Sequence, residues 1–445
     1  MLTDYIRSFI EAARQRGVSS LTFYDEDRRE TYAEAYQGYE LKVDTNAVTA
    51  ASRTLVISGC FRGLAGSVCV ENFEPCRISE QLDALADSAL ARQIPYEEPH
   101  FAKSYPEKAM DMEPDDPGRM ARELGACLEK VKVDGLRKFG DCGMSRVRRR
   151  IRLYDESVCG VSDTETYGEI HVGAEAFRSG RVQTARRSAA SGDPDRLEAE
   201  TVIYEAAREA AAMLEASPVD SGRYEVILGR AVMAEMISLY LTVFCEDSVR
   251  KKTSRLAGRI GETVAAGCVS LMEEPAHPLG ARRRVVDDEG TPAKAKALIE
   301  NGCLKVFLNN AEEAKKSGRE LTGNGFKTSL HQKTGIGVTN LCLRGEVPFE
   351  ELFERMGDGL YIVSCDGMFA GADVVSGDFS LISKGYRIRS GKRAEAVNQI
   401  TVAGNFFDML KAVKGIGDDY TVQLMGDGCF IVPSVYAGEL VVSGK

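Results

Sequence analysis

Apolar positions at helical spacing open the chain. In residues 3–15, Tyr5, Ile6, Phe9 and Ile10 fall on one side, which predicts an amphipathic helix. Alternating or β-rich segments follow at 20–26, 39–45 and 52–60, and residues 59–66 (GCFRGLAG) read as a hairpin turn. Residues 79–92 predict a helix capped by Ser79 with Leu82, Leu85 and Leu90 inward, and a further helix is expected from about Arg119 to Val131. Between them, residues 95–118 are proline-rich and acidic and read as a linker without a core of its own.

Consecutive antiparallel strands are expected over 144–191. Period-two alternation sets Arg146, Arg148, Arg150 and Arg152 on one face, where Asp155, Glu156, Asp163 and Glu165 are the nearby acids able to pair with them, and Ser179-Gly180 makes a turn. An Ala- and Glu-rich helix over 195–216 closes this part. Beyond it the chain becomes glycine-punctuated, with strands, tight turns and few helices. The organisation expected is an α/β region at 1–95, a linker at 96–118, a helix and antiparallel-strand region at 119–217, and a β-rich domain at 218–445.

In the second half, Val285-Val286 should end a strand and Asp287-Asp288-Glu289-Gly290 turn. Thr291 and Pro292 should then start a helix that Gly302 stops, followed by a strand CLKVFL. The three acids are either a solvated turn or ligands for a metal, small molecule or partner backbone. Residues 230–245 (RAVMAEMISLYLTVFC) predict an apolar helix with one carboxylate, Glu235.

Composition narrows the chemistry. The 445 residues carry a net charge of −10, which disfavours general nucleic-acid binding. The 12 cysteines include no CxxC pair and the N-terminus lacks a signal-peptide pattern, so a reduced, cytoplasmic setting is expected. No apolar run is long enough for a membrane span. The four histidines, His100, His171, His277 and His331, are too far apart for an HExxH helix. His331 reads as a loop histidine. No GxSxG elbow occurs, and the glycine-rich stretches at 323–328, 335–337 and 415–417 lack the complete phosphate-loop or dinucleotide spacing, so they read as turns.

A series of ordered motifs resembles the TldD/PmbA (TldD/TldE) proteins, also described as modulators of DNA gyrase. They are SGRYEVIL at 221–228, VDDEGTPAKAKALIENGCLKVFL at 286–308, LTGNGF at 321–326 and TNLCLRGEVPFEELFERMGDGLYI at 339–362. VSGDFSLISKGYRIRSGK at 375–392, TVAGNFFDMLKAVKGIG at 401–417 and VPSVYAGELVVSG at 432–444 complete the order. The resemblance implies an α+β fold, with an N-terminal α/β region and a C-terminal domain on a curved antiparallel sheet. It also implies a zinc metallopeptidase system that cuts unfolded or leader peptides.

TldD-like members carry an HExxxH zinc helix after the segment matching SGRYEVIL; here no histidine lies between His171 and His277. The resemblance therefore implies a PmbA/TldE-like subunit that binds no cofactor itself and carries no catalytic residue. It would join a zinc-bearing TldD-like partner, or a second copy of itself, and form part of a chamber that binds extended peptide. One alternative is an independent metallopeptidase with a non-standard site, for which Asp287, Asp288, Glu289, Asp378 and Cys429 are the candidate ligands. Another is a homodimeric peptide-binding or regulatory protein without catalysis.

Overall fold

The computed structural model describes residues 2–37, 42–71, 73–96, 110–157, 160–330, 332–426 and 428–445. Most of the expected linker, His100 and His331 lie outside the described residues. Among the described residues, the first half is one antiparallel sheet with four α-helices: α1 (Leu2–Gln15), β1 (Val18–Gln37), β2 (Val43–Phe61), β3 (Leu64–Val70), α2 (Ile78–Arg92), α3 (Pro117–Lys130), β4 (Leu136–Tyr154), β5 (Gly160–Arg178), β6 (Arg181–Ser191) and α4 (Ala199–Ala212). The sheet order is β3-β2-β1-β4-β5-β6, so β6 is an outer strand. The expected turns are present at Arg62-Gly63 and Ser179-Gly180, all four residues having positive φ. Of the expected segments, residues 43–45 and 52–60 fall in a single long strand, β2, and residues 39–41 lie outside the described residues.

The long strands carry a separate apolar core toward each end. Tyr5, Ile6, Phe9 and Ile10 of α1 pack with Leu82 and Leu85 of α2 on Phe23, Leu55 and Ile57. Toward the other end, α3 and α4 cover Ala33, Phe139, Met144, Ile170 and Ala174. Two details of α2 differ from expectation. Ser79 lies within the helix, whose N-cap is Arg77, and Leu90 is exposed. The predicted 195–216 helix is α4 flanked by 3-10 turns at Pro194–Arg196 and Met213–Glu215.

Between the two cores the sheet is charged on both faces. Arg146, Arg148, Arg150 and Arg152 do share a face, but Arg146 pairs with Asp195, Arg148 with Asp115, Arg150 with Asp27 and Arg152 with Asp25. The expected pairing with Asp163 and Glu165 fails because register places these residues opposite Ile151 and Arg149, hence on the other face. Asp155 instead accepts from the Ser157 N–H, and Glu156 accepts from the Leu21 N–H.

The second half is built on β7 (Gly222–Leu228) and α5 (Arg230–Tyr240). Strands Lys392–Asn405, Asp378–Arg389, Gly359–Asp366, β7 and Val435–Ser443 lie side by side, and the last also pairs with the first, so the sheet curls into a closed ring. Pairing is antiparallel except between β7 and Gly359–Asp366. Tyr240 of α5 stacks on Phe406, with centroids 4.1 Å apart, in the largest apolar core. A second sheet runs Cys303–Leu304, Lys296–Glu300, Leu271–Glu273, Asn340–Leu343, Gly428–Val432, Thr421–Met425, the last being an outer strand.

Here the structure corrects the expected helix at 291–302. Lys296–Glu300 is a strand paired with Leu271–Glu273, and Asn301-Gly302 turns into Cys303–Leu304, which is all that forms of the expected CLKVFL strand. Asn301 and Gly302 have φ values of 48° and 78°, the left-handed pair that a tight hairpin turn requires. Burial of Leu298 and Ile299 against the neighbouring strand overrides the helix propensity of the Ala- and Lys-rich segment. Val285 and Val286 end no strand; Val286 makes an isolated bridge to Pro292.

Candidate functional site

The acids of the 287–289 turn are buried and engaged by their own chain. Asp287 accepts from the N–H groups of Thr291 at 2.7 Å, Glu289 at 3.0 Å and Gly325 at 2.9 Å. Burial, reinforced by Glu289, pushes its carboxyl up to about 8. Glu289 accepts from the Ala311 N–H at 2.7 Å and is pushed up to about 7 by burial. Asp288 accepts from Arg284 at 2.8 Å; burial opposes its charge, but Arg284 and Arg149 outweigh that and hold it below the ordinary carboxylate range.

These contacts extend into a charge network joining the two halves. Arg149 of β4 donates to Glu26 at 2.7 Å and to Glu165 at 3.2 Å; Arg282 donates to Glu165 at 2.8 Å and Arg284 to Asp163 at 2.9 Å. The turn thus serves as a clasp.

The other two candidates lie elsewhere. Asp378 is exposed and accepts from Asn405 Nδ2 at 2.8 Å, a bond that lowers its pKa. Cys429 is buried in Gly428–Val432, where its sulfur accepts from the Ala281 N–H at 3.4 Å and burial pushes its thiol up to about 11. Among the described residues, no three His, Cys, Asp or Glu side chains stand close enough to hold a metal ion.

A cleft between the halves is the better candidate. It comprises two adjoining cavities of about 530 and 360 Å3 that share Arg187, Ser188, Ala231, Val363 and Gln423. The outer strands β6 and Thr421–Met425 both line it, as do α4 and the amino end of α5. Gly229 lets α5 start against the ring: its N–H donates to Ile362 O at 2.7 Å, and a Cβ there would stand 2.9 Å from that oxygen.

In the smaller cavity, Glu235 has its carboxyl pushed up to about 7 by burial and by Asp366, against a lesser pull from Arg187. Asp141, His171, Cys365 and Asp366 share this cavity; His171 Nε2 stands 3.4 Å from Asp141 Oδ1, and burial raises the Cys365 thiol to about 12. In the larger cavity Arg187 is paired with Glu209, and Arg230 grips Glu205 through bonds of 2.9 and 3.0 Å. Phe349, Tyr361, Tyr386 and Arg393 form its aromatic wall. The lone carboxylate in an apolar helix was the sequence signal for Glu235. Arg187, Arg230 and Arg393 carried none, because strand pairing and domain packing bring them together.

The sequence model of the PmbA/TldA metallopeptidase C-terminal domain matches residues 221–444, half of the chain. The chain belongs to the PmbA/TldD metallopeptidase family. A metalloprotease of Methanothermobacter thermautotrophicus is 30% identical over 219 residues, which are 48% of this chain and 47% of that protein. The chain spans about half the length of the curated relatives it matches. A Thermotoga maritima structure described as a modulator of a DNA gyrase matches with a TM-score of 0.86, 25% identity and full coverage of both chains. TldE from Thermococcus kodakarensis matches with a TM-score of 0.86 at 20% identity, over 98% of this chain and 100% of that one. The PmbA/TldD fold therefore extends through the whole chain, including the less recognisable first half. No helix among the described residues is long and apolar enough to cross a membrane.

The family's metallopeptidase name implies a metal, but the cleft does not fit one as arranged. Potential ligands line the smaller cavity, yet no three converge, and α5 offers Arg230-Ala-Val-Met-Ala-Glu235 with no histidine.

Proposed function

We propose that this chain is a PmbA/TldE-like, non-catalytic subunit of a TldD/TldE-type zinc metallopeptidase. It holds part of an unfolded or leader peptide in the cleft beside α5, while a TldD-like partner supplies the zinc site. The observation that carries this reading is α5 itself: it follows SGRYEVIL, borders the cleft, and has no imidazole to offer a metal. The two outer strands that line the cleft support a backbone-reading role. An extended peptide can add to such an edge and be bound largely irrespective of its sequence.

The chain's own residues would orient the peptide and exclude water from it, with Glu235 holding a proton near neutral pH. The test is elemental analysis and peptidase assay of the tag-free chain, alone and mixed with a TldD-like protein from the same genome. We expect no stoichiometric zinc and no cleavage alone, and cleavage in the mixture. Chelator-sensitive cleavage by the chain alone overturns the reading.

A further inference from the structure

The arginines of the larger cavity are not equivalent. Arg187 and Arg230 are neutralised by Glu209 and Glu205, and Arg196 lies 3.3 Å from Asp193. Arg208 has no carboxylate within ion-pair distance among the described residues and stands 6.0 Å from the centroid of one ring, Tyr204; Arg393, at the start of strand Lys392–Asn405, has none within that distance either. Its guanidinium instead stands over three aromatic rings, 4.9 Å from the centroid of Tyr386, 5.3 Å from Tyr361 and 5.9 Å from Phe353. Arg393 is exposed, and rings packed on a guanidinium face restrict its orientation while leaving the in-plane N–H edge able to donate. Such an edge matches the two oxygens of a carboxylate. In a chain of net charge −10, an unneutralised cation lining the cleft favours the approach of an acidic ligand.

We infer that Arg393 is a specificity site that receives a carboxylate of the bound peptide, either an Asp or Glu side chain or the free C-terminus. This deepens the peptide-cleft reading above and rests on it.

The test uses fluorescein-labelled, unstructured decapeptides of Ala, Ser and Val with a central Glu or Gln, each with a free or amidated C-terminus. Binding is measured by anisotropy to the full chain and to its R393Q, R393K and R208Q variants. A peptide carrying the preferred carboxylate should bind wild type roughly tenfold or more tightly than the peptide with neither carboxylate. R393Q should abolish that preference without weakening the peptide that has neither, and R393K, which keeps charge but loses the planar fork, should restore it only partly. The Glu/Gln and free/amidated comparisons show which carboxylate is read. R208Q removes another arginine of the cavity, one that lies over the Tyr204 ring, and should leave the preference intact.

Equal binding of all four peptides by wild type, equal loss for all of them in R393Q, or loss of the preference in R208Q overturns the assignment while leaving the peptide-cleft reading standing. If wild type binds none of the peptides, alone or with a TldD-like partner, both fall.

Discussion

Arg284 Nε donates to Asp163 Oδ2 across 2.9 Å, tying a loop of the second half to β5 of the first, with both side chains almost wholly buried. The same guanidinium donates to Asp288. Removing it takes the nearest countercharge from two buried carboxylates, leaving Asp163 with backbone N–H partners and Asp288 with one N–H and Arg149 at 4.0 Å. R284M is therefore expected to destabilise the protein by about 3–5 kcal/mol, read from urea denaturation. A loss below about 1 kcal/mol would show that the clasp contributes little.

Stability should peak in mildly acidic solution. Asp288 and Glu165 have folded pKa values held below their ordinary ones: burial opposes this, but arginines prevail. Their contribution is present above the ordinary carboxylate range and is lost as pH falls from that range through their lower folded values. Asp287 and Glu289 behave oppositely, being raised to about 8 and about 7. Between their ordinary and raised values the folded state holds protons that the unfolded chain has released, so rising pH costs stability. The melting temperature should have its maximum at about pH 5 and decline toward pH 8. A plateau from pH 5 to 8 would contradict this.

Glu235 isolates one of these contributions within the cleft. Its carboxyl, raised to about 7, is ionised at pH 9 at a cost that a neutral side chain avoids. E235Q should stabilise the protein by up to about 3 kcal/mol at pH 9 and much less at pH 5. Parallel denaturation curves at both pH values check it, and an equal effect at the two would argue against a buried, titrating carboxyl.

Gly229 matters for contact rather than for an unusual backbone angle, since its φ is −67°. A methyl group there meets Ile362 O at 2.9 Å and the Tyr361 ring at 3.3 Å. G229A should cost roughly 1–3 kcal/mol in thermal or chemical denaturation, through displacement of α5 from the ring. Unchanged stability would mean that α5 shifts freely.

Local periodicity made much of the first half legible. The Tyr5, Ile6, Phe9, Ile10 stripe and the 146–152 alternation each need only neighbours in sequence. The failures arise where distant segments decide. Residues 296–300 are rich in helix formers, and only pairing with Leu271–Glu273 makes them a strand; Asn301-Gly302 was the overlooked local signal. Proximity in sequence suggested Asp163 and Glu165 as partners for the 146–152 arginines, but strand register set them on the opposite face. The acidic turn reads as a ligand site in sequence, but its amide partners come from Gly325, Ala311 and Lys327 and its arginines are Arg284 and, 4.0 Å away, Arg149 of β4. Arg393 resembles any surface arginine until Tyr361 and Tyr386 are folded beneath it.

The closed ring has a consequence for how the protein is made. Val435–Ser443 lies between β7 and Lys392–Asn405, and it is the last of the five strands to leave the ribosome. Until it arrives, those two strands each present an unsatisfied backbone edge, a template for pairing with another nascent chain. Loss of this final segment would therefore expose the protein to aggregation during synthesis well before it affected any peptide bound in the cleft.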